Sequence, residues 1–69
     1  METAGYSKSD AEFKLGFTIA RDTNVTIDGD TGIIQAVLKN CFYVNVGGTI
    51  YVVWYQDVCC GIVDIKLPE

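Results

Sequence analysis

The side chains best equipped to do chemistry in this chain are aromatic. Tyr43, Tyr51, Trp54 and Tyr55 lie close together in sequence, among Val and Ile residues. Tyr and Trp join a large apolar surface to a hydrogen-bonding tip, the combination that anchors interfaces. The same rings can cage a cation or grip a Pro-rich peptide. Against this stands the plain reading that several of them only fill the core. A core of this size has room for about two of the four, by the surface-to-volume limit on small domains.

The other reactive groups point to less. The chain has no histidine, so no imidazole is present to act as base or metal ligand. Asp22, Asn24, Asp28 and Asp30 could gather around a Ca²⁺ ion. They lack the sixth-position Gly and twelfth-position Glu of a calcium loop, and Asp with Gly is what tight turns use. Cys59 and Cys60 are adjacent, and a strand would send them to opposite faces. No second cysteine pair completes a zinc site. They read, with Cys41, as small hydrophobes. No catalytic residue, metal site or cofactor is therefore expected.

Positioning these groups falls to strands and turns. Ser9-Asp10-Ala11-Glu12 has the form of a capping box, so a short helix is expected there, after a loose tail over residues 1–9. From Phe17 onward the pattern becomes β. Phe17-Thr18-Ile19 and Val25-Thr26-Ile27 alternate, and Asp28 to Gly32 has the composition of a turn. Apolar runs follow over residues 33–38, 41–46 and 49–55, with a last strand from Gly61 to Leu67. Residues 10–69 make one domain.

Gly47-Gly48 is the clearest local signal. Both residues accept positive φ, and β-branched and aromatic runs flank them, which suits a type I′ hairpin. That turn sets Val46 opposite Thr49, Val44 opposite Tyr51, and Phe42 opposite Val53, all on one face. Cys41, Tyr43 and Asn45 then share the other face with Trp54, Val52 and Ile50. A half-buried antiparallel strand should alternate apolar and polar, yet both of these faces are apolar. Two covers suit the second face: the segment around Phe13 and Leu15, or another protein surface. Tyr43, Ile50, Val52, Trp54 and Tyr55 are the candidate interface residues.

The segments Asn24-Val25-Thr26-Ile27, Gly32-Ile33-Ile34, Phe42 to Gly48, Tyr51-Val52-Val53 and Asp57-Val58 together resemble the SH3-like barrels, in the broad sense of Tudor and KOW modules. The resemblance implies an all-β fold, a single small barrel of about five antiparallel strands. It does not imply an activity, since one fold hosts many functions. KOW-like modules that bind RNA are basic, whereas this chain carries nine acidic and five basic residues. Gly48-Thr49-Ile50-Tyr51 is also similar to the Val-Gln-Ile-Tyr string of the plasmid-type dihydrofolate reductases, which are tetramers around a pore. Thr49 stands where the Gln would be, and substrate and cofactor contacts do not carry over.

Bulk properties bound the function classes. A chain of 69 residues makes one domain, and it buries only about 60% of its unfolded surface. Its hydrophobic fraction of 49% is high for so little interior, and oligomerisation is a common remedy. The net charge of −4, with scattered cations, disfavours nucleic acid as a partner. No apolar segment follows a basic start, so no signal peptide or membrane span is expected, and an odd cysteine count fits a reducing cytoplasm. The leading expectation is a non-catalytic binding module that self-associates. The alternatives are a reductase-like pore enzyme, or a small acidic phage or mobile-element protein that binds a host protein.

Overall fold

The computed structural model describes residues 6–68. The order of elements is helix α1 (Lys8–Leu15), strands β1 (Asn24–Ile27), β2 (Asp30–Val37), β3 (Cys41–Val46) and β4 (Thr49–Trp54), helix α2 (Tyr55–Cys59) and strand β5 (Ile65–Lys66). The five strands form one antiparallel sheet in the order β4-β3-β2-β1-β5. The fold is thus all-β with short helical additions. The sheet curls but does not close, and β4 and β5 are its two edges.

Two hairpins set the register. At Gly47 and Gly48, φ is 59° and 94°, the pair of positive values that a type I′ turn requires. The β3–β4 ladder then runs without slip from Val46↔Thr49 to Cys41↔Trp54, with Val44 facing Tyr51 and Phe42 facing Val53. The expected pairing is the one observed. Asp28 and Gly29 make the same kind of turn between β1 and β2, with φ of 51° and 90°. It is tighter than composition suggested, because Asp30 to Gly32 already belong to β2.

Gly32 has a steric role. A Cβ built there would sit 2.7 Å from Val46 Cγ2, 2.9 Å from the Asn45 carbonyl oxygen and 2.9 Å from Val44 Cγ1. Only a residue without a side chain lets β2 pass this close to β3. Three residues further on, the β2–β3 register shifts between Ile34 and Ala36. Such a bulge adds a residue to one strand and bends it, which helps to curl the sheet.

The core lies on the concave face. Val25, Ile27, Ile34, Phe42, Val44, Val53 and Ile65 point into it, joined by Ala11 of α1, by Ile19, and by Tyr55 and Val58 of α2. The Tyr55 and Phe42 rings stack at 5.9 Å with their planes 25° apart, an offset arrangement that adds about 0.5–1.5 kcal/mol beyond area burial.

Four expectations need correction. Helix α1 starts earlier than the Ser9 box implied. Ser7 caps it, accepting from the Asp10 amide at 3.2 Å while the Asp10 carboxylate accepts from the Ser7 amide at 3.1 Å. Lys8 and Ser9 are thus helical, and only Met1 to Gly5 of the expected tail lie outside the described residues. Phe17 to Ile19 is not a strand. Glu12 accepts the Ile19 amide at 2.7 Å, which takes the donor that a ladder would use. The run over residues 49–55 stops one residue early as a strand, because Tyr55 already begins α2. The last strand shrinks to Ile65–Lys66, because Ile62 donates back to the Asp57 carbonyl at 2.9 Å and holds the chain against the end of α2.

Candidate functional site

Period-two alternation sorts the β3–β4 hairpin into two faces. On the concave face, Phe42 and Val44 are fully buried and Val53 nearly so. Tyr51 shares that face and, at the sheet edge, keeps 39% of its surface exposed. On the convex face, Ile50, Val52 and Trp54 stay 41%, 49% and 49% exposed. Tyr43 is half-buried there, opposite Val52.

The structure adds Ile33 and Ala36 to this surface. Ile33 pairs with Asn45 and is 37% exposed, and Ala36 lies opposite Tyr43 across the bulge. Sequence reasoning missed both, since β2 alone does not reveal where its alternation is interrupted. The polar side chains on this face satisfy each other. Asn45 Nδ2 donates to Gln35 Oε1 at 2.7 Å, and Asn45 Oδ1 accepts the Gly48 amide at 2.8 Å. The convex face therefore offers mainly apolar area, tipped by the Tyr43 hydroxyl and the Trp54 indole N–H.

Tyr55 does not belong to the site. It is fully buried, its ring lies on Phe42, and its hydroxyl donates to the Leu38 carbonyl at 2.6 Å. Burial pushes its pKa above the ordinary tyrosine value, so the phenol holds the proton with which it donates. The chain leaves the strand at Trp54 and enters α2 at Tyr55, which carries this side chain into the core.

Among the described residues, the segment around Phe13 and Leu15 does not cover the convex face. Ala11 is buried in the core, and Leu15 packs against it. Helix α1 lies beside α2, while Phe13 faces outward, 92% exposed.

The remaining reactive groups are dispersed. Cys41 is buried, Cys59 half-buried and Cys60 exposed, all as free thiols. Cys59 ends α2 and Cys60 follows it as the cap, so neither sits in the strand the sequence suggested. Burial, assisted by the charge of Asp10, pushes the Cys59 thiol above its ordinary pKa. Asp22 and Asp28 take left-handed turn conformations, with φ of 66° and 51°. Among the described residues no group of three or more His, Cys, Asp or Glu is placed to hold a metal ion. A cleft of about 380 Å³ opens between the C-terminal end of α1 and the segment after α2, lined by Lys14, Leu15, Val58, Val63, Asp64 and Ile65 among others. No described helix is long and apolar enough to cross a membrane.

Set against family models, curated proteins and solved structures, the chain matches none.

Proposed function

We propose that this protein is a non-catalytic binding module, framed as an SH3-like barrel, that self-associates through the β3–β4 hairpin into a dimer or tetramer. One observation carries the reading. Ile50, Val52 and Trp54 are each 41–49% exposed, side by side on a regular strand, with Tyr43 and Ile33 beside them. Contiguous apolar surface of this kind marks interaction sites on soluble proteins. An interface centre is also depleted in charge and rich in aromatics, and no charged residue occurs between Lys39 and Asp57. The barrel frame is supported by the four-stranded meander β1–β4 and by the fifth strand, β5, which returns to pair with β1.

Sedimentation equilibrium tests the proposal. The expected result is a mass that is a stable multiple of the 7.6 kDa chain. A monomer mass at every concentration would refute it.

A further inference from the structure

We infer that the contact is made edge to edge: β4 pairs antiparallel with β4 of a second copy, about a two-fold axis at Val52, so that two five-stranded sheets become one. The inference rests on the self-association proposed above and adds its geometry.

The backbone supplies the first argument. Tyr55 N donates to the Asn40 carbonyl at 3.2 Å, and the register alternates from there. Thr49, Tyr51 and Val53 therefore turn their amides toward β3, and Ile50, Val52 and Trp54 turn theirs away. The outward amides lie along an edge of the sheet. Proteins blunt such edges with charge, proline, a bulge or a covering segment. Strand β4 has no charged residue, no proline and no register break.

The second argument is self-complementarity. With the axis at Val52, Val52 faces its own copy, and Ile50 faces the partner subunit's Trp54. All three outward residues then pair only with each other. Four backbone hydrogen bonds follow, from each Val52 amide to the opposite Val52 carbonyl and from each Trp54 amide to the opposite Ile50 carbonyl. The Trp54 carbonyls are excluded because each starts a helix. An aromatic ring across from a β-branched aliphatic is a favourable cross-strand pair.

Charge permits a second copy at this edge. Two chains of net charge −4 repel, but β4 lies within the uncharged span between Lys39 and Asp57, so the symmetric pairing sets no like charges opposite each other. A foreign strand would be recognised by pockets for alternate side chains. The cleft near α1 has no lining residue on β4.

Amide hydrogen exchange followed by NMR, at low and high protein concentration, tests the geometry, with Val52→Pro as the companion variant. Proline suits this position because the amide it removes points away from β3. We expect the Val52 and Trp54 amides to become protected at least tenfold as concentration rises while the Ile50 amide, whose acceptor would be the excluded Trp54 carbonyl, does not, and Val52→Pro to be a folded monomer. An oligomer in which the Val52 and Trp54 amides stay unprotected would overturn edge pairing and leave self-association standing. So would a folded Val52→Pro chain that still assembles. Protection of these amides only on adding another protein would overturn the second-copy assignment. A wild-type chain that is monomeric throughout would overturn both readings. If Val52→Pro does not fold, the wild-type exchange pattern decides alone.

Discussion

The two faces of the β3–β4 hairpin are made of the same kinds of residue and are treated in opposite ways. Phe42, Val44 and Val53 on one face are within 3% of complete burial, whereas Ile50, Val52 and Trp54 on the other leave 41–49% of their surface open. The contrast separates two roles that composition cannot distinguish. Concave-face residues hold the fold together, and convex-face residues are available to another surface. Substitutions on the two faces should therefore give opposite patterns of stability and association.

The largest effect on folding is expected at Phe42. Phe42→Ala removes a fully buried ring and its stacking on Tyr55. The expected loss is about 3–5 kcal/mol in urea unfolding, enough to unfold a domain of marginal stability. Gly32→Ala comes next. The added methyl meets Val44, Val46 and the Asn45 carbonyl at under 3 Å, and such overpacking costs about 1–3 kcal/mol. Thermal unfolding would measure it.

Tyr55→Phe keeps the ring and removes the bond to Leu38, for an expected loss of about 1 kcal/mol. It also alters the pH dependence. The folded pKa of Tyr55 is raised, so its contribution is fully present below the unfolded tyrosine value, about 10. It is lost as pH rises through the folded value. Wild-type stability should fall over that alkaline window, and the Phe variant should lose this dependence.

Glu12 works at the acid end. Its pKa is lowered, first by the bond from the Ile19 amide and then by Lys8. Its contribution is present above the unfolded carboxylate value and is lost as pH falls through the folded one. In Glu12→Gln, acid titration by circular dichroism should show a shallower loss of stability. The smallest effect on folding belongs to the convex face. Ile50→Thr with Val52→Thr keeps β-branched residues at exposed positions, and should change stability by about 0.5 kcal/mol or less. The same pair should abolish association.

Much of this comparison was legible in the sequence, because one turn decides it. Gly47-Gly48 fixes the register, and the register assigns every side chain from Cys41 to Trp54 to a face. Alternation from Val53 also sends Tyr55 to the concave side, a signal obscured by the unbroken apolar run over residues 51–55. What could not be read depends on distant contacts. The bulge at Gln35, the bond from the Ile19 amide to Glu12 and the closing of α2 by Ile62 each join residues whose pairing no local pattern announces. The exposure of Phe13 belongs with them. Helix α1 is placed by the burial of Ala11, the smallest apolar residue in its sequence.

The most direct test of the central claim is the solution mass by light scattering after gel filtration. It should be measured over a tenfold concentration range for the wild-type chain beside Ile50→Thr/Val52→Thr. A fixed multiple of the chain mass is expected for the wild type and a folded monomer for the variant. A wild-type monomer throughout, or a variant that assembles as the wild type does, would contradict the claim.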